Sequence, residues 1–258
     1  MTESTTLFDL TGKTALITGG GTGLGRHFAE ELAAGGARVV LCARRVDKIQ
    51  ESAAAINERG GVAEAHPMDV NDLASVKAAL AAASEGGPVT VVVNNAGVSY
   101  PNSLFGTTED DWDATVNTNL KGSWLVARES VKLMSRAEVQ GTVINVASIL
   151  GQAAQPFTGA YAASKAALIH LTRVMAQEWA PLGIRVNALA PGYFATDIVD
   201  GALETEVGQA MLARIPQGRF GELSDLSGPI RFLASDASVY MTGTTLTIDG
   251  GHSIPSVI

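Results

Sequence analysis

The sequence predicts an α/β fold in which a parallel β-sheet carries helices on both faces. Short and almost continuously apolar runs alternate with longer alanine-rich segments of helical periodicity. Strands without polar alternation are typical of a sheet that is covered on both faces. The regular strand–helix order favours right-handed crossovers, and the sheet is therefore expected to be doubly wound.

Seven strands and six helical segments follow from this pattern. The strands are predicted at 14–20, 37–43, 62–70, 89–97, 141–148, 184–192 and 244–251. The helices are predicted near 23–34, 46–59, 71–84, 109–136, 160–180 and 222–235. The alternation is interrupted after the sixth strand, at about 193–221, where open α/β sheets bind ligands, so we expect a lid over a pocket there. No linker or repeat divides the chain, which predicts a single domain over 1–258.

Composition and charge exclude several other classes of protein. The chain has 258 residues, 46% of them hydrophobic, and a mean hydropathy of +0.18, which is enough apolar material for a core. Its net charge of −8 argues against non-specific nucleic-acid binding. No apolar run is long enough to span a membrane, and the first residues lack the features of a secretory signal.

The number of cysteines predicts a protein of a reducing compartment, and the spacing of the histidines predicts that the protein has no metal site. Cys42 is the single cysteine, which fits a cytoplasmic protein. The four histidines (His27, His66, His170 and His252) have no spacing typical of metal ligands, so no metal site is expected.

A glycine-rich loop joins the first predicted strand to the first helix. Residues 18–25 read TGGGTGLG, and glycines at such a turn let the backbone approach a pyrophosphate at a helix N-terminus. On its own the loop is equally consistent with a flexible turn. A second phosphate motif, around Gly12, Lys13 and Thr14, is excluded because it needs a glycine where the chain has Leu7.

The segment YAASK, 161–165, contains a candidate acid/base pair. Tyr161 and Lys165 are four residues apart and share one face of a predicted helix. An ammonium group near a phenol lowers the phenol's pKa towards a useful range. Such a spacing is common by chance, but Ser148 ends the fifth strand, so that it lies at the same sheet edge as Tyr161 and the glycine loop. A serine hydroxyl there can hydrogen-bond a substrate carbonyl. Asn119 is an unusual choice for a helix interior.

Six features of the sequence together resemble the short-chain dehydrogenase/reductases, and the resemblance runs from about residue 8 to residue 251. They are TGGGTGLG, NNAG at 94–97, Asn119, Ser148, YAASK and the Pro191-Gly192 pair. This resemblance implies a Rossmann-type fold and hydride transfer between a nicotinamide cofactor and a carbonyl carbon. It implies that Tyr161 is the acid/base and that Ser148 polarises the carbonyl. Lys165 would bind the nicotinamide ribose and lower the pKa of the tyrosine, and Asn119 would hold a proton-relay water.

The resemblance also implies the binding residues. Asp69 and Val70 match contacts to adenine, Asn95 matches a contact near the ribose, and Phe194 and Thr196 match contacts to the nicotinamide end. The full set expected to bind the cofactor is Gly19, Gly21, Thr22, Gly23, Leu24, Gly25, Arg44, Asp69, Val70, Asn95, Ala96, Gly97, Tyr161, Lys165, Pro191, Gly192, Phe194 and Thr196. The substrate is expected to contact Ser148, Gln155, Tyr161 and Tyr193.

The stretch LCARRVD, 41–47, predicts a preference for NADP(H) over NAD(H). Ala43 stands where a carboxylate would bond the ribose 2′-hydroxyl of NAD, and Arg44 can instead pair with the 2′-phosphate of NADP. Relatives that prefer NADP(H) often carry such an arginine. Many also carry a basic residue just before the second loop glycine, where this chain has Thr22. Arg45 is expected to be a surface charge, and the alternative is that both arginines only solvate the end of a strand.

The expected reaction interconverts a ketone and a secondary alcohol. Reduction of a 3-oxoacyl-(acyl-carrier-protein) is an alternative, although Ala137–Gln140 and Leu182 offer no basic surface to an acidic carrier. A polyol- or gluconate-type dehydrogenase is another, and it would need several hydrogen-bonding side chains in the pocket. A catalytically silent NADP(H)-binding sensor or scaffold would not need Asn119, Ser148, Tyr161 and Lys165 together. By resemblance we expect a homotetramer that pairs the helices at 109–136 and 160–180.

Overall fold

The computed structural model describes residues 7–195 and 205–254, and it confirms the predicted sheet. Seven parallel strands lie in the order β3-β2-β1-β4-β5-β6-β7. The strand order changes direction between β1 and β4, and an open α/β sheet forms its ligand cleft at such a point. The strands are β1 Thr14–Thr18, β2 Arg38–Ala43, β3 Val62–Pro67, β4 Val91–Asn94, β5 Gly141–Val146, β6 Ile184–Pro191 and β7 Thr245–Ile248.

Helices connect the strands on both faces of the sheet. They are α1 Gly23–Ala34, α2 Val46–Glu58, α3 Leu73–Ser84, α4 Glu109–Val116, α5 Ser123–Arg136, α6 Gly159–Trp179, α7 Glu206–Leu212 and α8 Ser227–Ala234. A π-helical turn, Asn117–Gly122, joins α4 to α5, and short 3₁₀ turns lie at Ile149–Gly151, Ala180–Leu182, Leu223–Leu226 and Asp236–Ser238. None of the described helices is long and apolar enough to cross a membrane.

Each face of the sheet buries its own apolar layer. On one face, Phe28 and Leu32 of α1 and Ile230 of α8 are fully buried against the strands. On the other, Leu80 of α3 and Val126 of α5 are fully buried. The side chain of Cys42 belongs to this second layer and is 0% exposed. Strands covered on both faces explain the continuous apolar runs in the sequence.

The observed elements differ from the predictions at three places. The first strand ends at Thr18 rather than at residue 20 because Gly19 has φ +66°, which leaves the extended region. The predicted helix 109–136 is interrupted at Asn117–Gly122. The predicted lid at 193–221 contains α7, but its residues 196–204 lie outside the described residues.

A buried polar network holds α6 against the ends of β4 and β5. The amide nitrogen of Asn94 donates to Asn145 Oδ1 at 2.9 Å and to the Ser123 carbonyl at 3.0 Å. Asn145 Nδ2 in turn donates to Thr172 Oγ1, on α6, at 2.9 Å. Buried polar groups that satisfy one another in this way fix a single arrangement of their elements. Because α6 carries Tyr161 and Lys165, the network also fixes these residues relative to the strand ends.

Candidate active site

A cavity of about 530 Å³ opens at the carboxyl ends of the strands, at the point where the strand order reverses. Most of the residues that were expected to bind a cofactor or substrate line it. These are Gly19, Gly21, Thr22, Gly23, Leu24, Gly25, Arg44, Asp69, Val70, Asn95, Ala96, Gly97, Ser148, Tyr161, Lys165, Pro191 and Gly192.

The glycine loop forms one wall of this cleft, and Gly25 lets it approach the end of β4. A Cβ atom at Gly25 would lie 2.2 Å from the Gly19 carbonyl oxygen and 2.4 Å from Asn95 Nδ2, so no other residue fits there. Asn95 Nδ2 donates to the carbonyls of Thr18 at 3.0 Å and Gly19 at 3.2 Å. The side chain after β4 therefore braces the loop after β1.

The N-terminus of α1 points its free N–H groups at the cleft. Thr22 is the N-cap residue, but its side chain makes no capping hydrogen bond, and the first turn carries no acidic residue. Uncapped N–H groups and the positive end of a helix dipole bind phosphate well. This arrangement fits the pyrophosphate of a dinucleotide.

A basic rim lies where the second strand leaves the sheet. Arg44, Arg45 and Lys48 all line the cleft. Arg45, which the sequence suggested was only a surface charge, is exposed, but its Nη2 donates to Thr22 Oγ1 at 3.2 Å. Arg45 and Lys48 were missed because their place beside the loop depends on how α2 packs against it.

The adenosine end of the cleft includes Asp69, Val70 and also Asn71. Asn71 Nδ2 donates to Thr118 Oγ1 at 3.1 Å, whereas Asn71 Oδ1 is buried without a partner in the described structure. A buried acceptor of this kind calls for a donor, and an exocyclic amino group of a bound base has the right chemistry. The residues present therefore fit an adenine dinucleotide.

Ser148 and Tyr161 meet at the opposite end of the cleft. Ser148 is buried at the start of a 3₁₀ turn, and its Oγ accepts from the Leu150 N–H at 3.1 Å, which orients it. Burial raises the pKa of the Tyr161 hydroxyl above its usual value, a hydrogen bond to Ser148 lowers it, and the nearby Tyr193 raises it. Tyr161 is therefore protonated at neutral pH, which is the form that can donate a proton.

Lys165 is buried directly behind the tyrosine. Its Nζ donates to the Val146 carbonyl at 2.7 Å and lies 5.6 Å from the centre of the Tyr161 ring. Burial lowers the pKa of Lys165 to about 8. The pKa of Tyr161 is raised overall, because burial of the phenol is the largest influence on it. The lowering effect expected of Lys165 stays a prediction.

Asn119 lies behind the cleft wall, on the π-helical turn. Its Oδ1 accepts from the Val98 N–H at 2.8 Å, and its Nδ2 donates to the Val98 carbonyl at 3.0 Å and to Ser164 Oγ at 3.1 Å. Asn119 thus ties the loop after β4 to α6. The proton-relay role of Asn119 remains a prediction.

Two expected substrate contacts, Gln155 and Tyr193, do not line this cleft. Tyr193 borders a second cavity of about 420 Å³, close enough to Tyr161 to raise the pKa of its hydroxyl. The Tyr193 hydroxyl donates to Gln155 Oε1, and the Tyr193 ring packs edge-on against His252 at 5.2 Å between centroids. Burial raises the pKa of Tyr193 and lowers that of His252, and the charge of Arg214 lowers both. His252 and Arg214 were missed because they are distant in sequence and come together only through the fold.

Two expected cofactor contacts are not in the cleft wall as described. Phe194 is buried in the core, with its ring packed on Gly221, and it also borders the second cavity. Thr196 lies outside the described residues. Among the described residues, no cluster of His, Cys, Asp or Glu could hold a metal ion.

Comparisons with known proteins cover nearly the whole chain. A family model described as enoyl-(acyl carrier protein) reductase matches residues 19–253. The 3-oxoacyl-[acyl-carrier-protein] reductase of Staphylococcus aureus is 38% identical over 241 residues, 93% of this chain and 97% of that protein.

Two solved structures with the same fold are described as dehydrogenases of other substrates. A chain described as a short-chain alcohol dehydrogenase from Sinorhizobium meliloti has a TM-score of 0.91 and 42% identity, covering 95% of this chain and 98% of that one. A gluconate 5-dehydrogenase from Burkholderia cenocepacia, in complex with NADP and tartrate, has a TM-score of 0.93 and 35% identity, covering 98% and 100%.

The close approach at Gly25 predicts a strong effect of a single methyl group. We expect Gly25→Ala to lower the free energy of unfolding by about 2 kcal/mol or more, because the backbone must move to relieve the contact. Dinucleotide affinity should fall as well. Gly228→Ala is the matched control, since its Cβ would meet nothing within 4 Å. Denaturant titrations of both variants measure the difference, and equal stabilities would contradict the packing described.

Because Lys165 is buried, we expect the free energy of unfolding to depend on pH. Its pKa in the fold, about 8, lies below the ordinary 10.5, so the unfolded chain binds more protons between these values. Wild-type stability should therefore rise with pH through this window. We expect Lys165→Met to be more stable than wild type by about 1–3 kcal/mol below pH 8, once the lost Val146 hydrogen bond is counted.

That advantage should shrink as the pH rises towards 10.5. Urea titrations between pH 7 and 10.5 test it, with Lys77→Met as the control because Lys77 is exposed. A stability difference that does not change across the window would show that burial does not lower the pKa of Lys165.

Proposed function

The chain belongs to the short-chain dehydrogenase/reductase family, and from this premise we propose that it is an NADP(H)-dependent oxidoreductase that interconverts ketones and secondary alcohols. Oxidoreductase activity on CH–OH groups follows from the family. The proposal rests mainly on one observation: Ser148, Tyr161 and Lys165 lie close together at one end of the cleft. The rest of the same cleft fits a dinucleotide.

Each of these residues has a distinct task in the proposed mechanism. The nicotinamide supplies or accepts the hydride when it is bound. The Ser148 hydroxyl donates a hydrogen bond to the substrate oxygen and so stabilises the charge that develops there. Tyr161, protonated at neutral pH because burial raises its pKa, donates its proton to this oxygen in reduction and takes it back in oxidation.

Lys165 makes ionisation of the tyrosine less costly. With a pKa of about 8 its side chain is mainly an ammonium at pH 7, and a positive charge near a phenol favours the phenolate. Asn119 positions this pair through its bond to Ser164 on α6.

Preference for NADP(H) is supported by the missing carboxylate at Ala43 and by Arg44 on the rim of the cleft. The NADP complex of the similar gluconate 5-dehydrogenase supports it as well.

A polyol- or gluconate-type substrate is the second candidate. Gln155, Tyr193 and His252 supply the hydrogen-bonding side chains that such a substrate needs, with Arg214 close enough for its charge to lower the pKa of two of them. The similarity to a gluconate 5-dehydrogenase favours the same reading.

Reduction of the 3-oxo group of a 3-oxoacyl-(acyl-carrier-protein) is a third candidate, supported by 38% identity to the Staphylococcus aureus enzyme. The residues at 137–140 and 182 do not support it, because the exposed ones include Glu138 and the apolar Leu182, and the basic residue beside them is the single exposed Arg136.

We also propose a cytoplasmic homo-oligomer formed of single-domain subunits. Exposed tryptophans support a contact surface on α4 and α5, since Trp112 is 41% and Trp124 is 37% exposed. Light scattering at micromolar concentration distinguishes a tetramer from a monomer.

Replacing the tyrosine hydroxyl tests the proposed chemistry. We expect Tyr161→Phe to lower kcat by about 10²–10⁴-fold, because it removes the group that transfers the proton. NADPH affinity, measured by fluorescence titration, should remain close to that of wild type. Tyr240→Phe removes a hydroxyl from a fully exposed residue and serves as the control. Turnover that survives in Tyr161→Phe would contradict the assignment of the acid/base.

Substrate choice is tested with the wild-type protein. Free ketones, secondary alcohols, gluconate, other polyols and acetoacetyl carrier protein are compared by kcat/KM with both cofactors. A clear preference for gluconate or polyols, or for the carrier protein, would replace the proposal with the corresponding alternative. Tight NADPH binding without turnover of any compound would instead favour a cofactor-binding sensor.

Replacing Arg44 tests the cofactor preference. We expect Arg44→Ala to lower the NADPH/NADH ratio of kcat/KM by about 10–100-fold, since one charge-assisted pair with the 2′-phosphate is lost. NADH, which lacks that phosphate, is the internal control. An unchanged ratio would remove Arg44 from the phosphate site.

A further inference from the structure

We infer that the substrate carries a carboxylate group and that Arg214, on the turn after α7, binds this group. The inference rests on the proposed function and deepens it, because it names the class of ketone. The substrate would be an oxo acid, and its reduction would give a hydroxy acid. The carboxylate would bind beside the second cavity, next to Tyr193.

The turn that carries Arg214 is packed against the turn after β7, which carries His252. The Gln217 N–H donates to the Gly250 carbonyl at 3.1 Å. A Cβ atom at Gly250 would lie only 2.8 Å from Ile215 Cγ2, so the two turns are in close contact. The backbone positions of the arginine and of the histidine are therefore fixed relative to each other.

The side chain of Tyr193 connects these two turns to the reacting end of the cleft. Its ring packs edge-on against the ring of His252, with 5.2 Å between the centroids. Its hydroxyl donates to Gln155 Oε1 and lies close enough to Tyr161 to raise the pKa of the acid/base. A phenol, an amide and an imidazole thus stand near the acid/base, and each of them can hydrogen-bond a substrate oxygen.

The electrostatic field around Tyr193 and His252 is positive. Burial is the largest influence on the pKa of both residues, and it raises that of Tyr193 and lowers that of His252. The charge of Arg214 lowers both pKa values, and at His252 its effect exceeds the opposite effect of Asp249. A positive field favours the ionised form of a bound acid.

The carboxylates around the second cavity already have partners, whereas Arg214 has none. Asp249 accepts two backbone N–H hydrogen bonds, at 2.9 and 2.7 Å. Asp225 is paired with Arg219 through two hydrogen bonds, at 2.7 and 2.9 Å. Within 7–195 and 205–254, Arg214 is exposed and forms no ion pair. Its guanidinium is therefore available to an anion, and that of Arg219 is not.

An oxo acid fits this arrangement of groups. A guanidinium matches a carboxylate because its planar fork donates two parallel hydrogen bonds to the two oxygens. Since Tyr193 is near both Tyr161 and Arg214, the carbonyl and the carboxylate of one substrate can bind at separate places. The proposed reaction is unchanged, because hydride and proton still go to the carbonyl and the carboxylate takes no part in the chemistry.

The experiment compares oxo acids with their uncharged methyl esters. Acetoacetate, 4-oxopentanoate and 5-oxohexanoate are assayed against the three esters at saturating NADPH, for wild type and for Arg214→Gln. We expect wild type to prefer at least one acid over its ester by about tenfold or more in kcat/KM. Arg214→Gln should lower this acid/ester ratio by roughly tenfold, mainly through KM, as for the loss of one exposed charge-assisted pair.

Two further variants separate the carboxylate contact from the loss of charge alone. Arg214→Lys keeps the charge without the forked geometry, and its acid/ester ratio should lie between those of wild type and Arg214→Gln. Arg59→Gln removes a positive charge from the far end of α2, where the side chain is 68% exposed. Its acid/ester ratio should equal that of wild type, because this arginine is not near the second cavity.

The outcomes distinguish this inference from the proposed function. A wild-type protein that reduces ketones but shows an acid/ester ratio near unity would overturn the inference and leave the proposed function intact. An equal fall of the ratio in Arg214→Gln and Arg59→Gln would also overturn it, since net charge alone would then explain the effect. Absence of turnover for every compound would refute the proposed function.

Calorimetry tests the carboxylate contact without turnover. We expect 4-oxopentanoate to bind the NADPH-loaded wild type more tightly than its methyl ester does, and Arg214→Gln to lose this difference. Equal affinities of acid and ester for wild type would contradict the inference. If Arg214→Gln does not fold, as judged by circular dichroism, Arg214→Lys takes its place, and an acid/ester ratio identical to that of wild type would then count against the forked contact.

Discussion

The contact between the turn after β1 and the end of β4 is the constraint on which the rest of the site depends. Thr18 Oγ1 accepts from the N–H groups of Asn95 and Ala96 at 3.0 Å each, and Asn95 returns two hydrogen bonds to the backbone of the turn. Gly25 makes this approach possible because a side chain has no room there. The turn is thereby held at the point where the sheet reverses its strand order, and the N-terminus of α1 faces the cleft.

The catalytic end depends on a second set of buried polar contacts. Asn145 and Thr172 join the sheet to α6, while Asn119 joins the loop after β4 to the same helix. Lys165 is buried with a depressed pKa, and within the described residues its ammonium donates to the Val146 carbonyl. The fold therefore keeps an unfavourable group in place by means of hydrogen-bonded neighbours, which is a common relation between stability and activity.

The sequence was sufficient for the fold because apolar periodicity and glycine placement are local signals, and all seven strands lie where those signals predict them. The π-helical turn could not be predicted, because the hydrogen bonds that its Asn119 makes are with the backbone of Val98, 21 residues away, and are not a local signal. The catalytic set was identified by motif, whereas the raised pKa of Tyr161 depends on burial, which a motif does not encode. The same holds for Arg45, whose partner becomes visible only when α2 is packed against the glycine loop.

Cys42 gives the molecule a property that hydride chemistry alone does not require. Its thiol is fully buried in β2, immediately before Ala43 and Arg44, and burial raises its pKa to about 12. Because the thiolate is the form that reacts with peroxides, disulfides and electrophiles, this cysteine is inert while the sheet is intact. A protein that handles reducing equivalents thus keeps its only sulfhydryl insulated from oxidative stress, and modification of that sulfhydryl would report that β2 had opened.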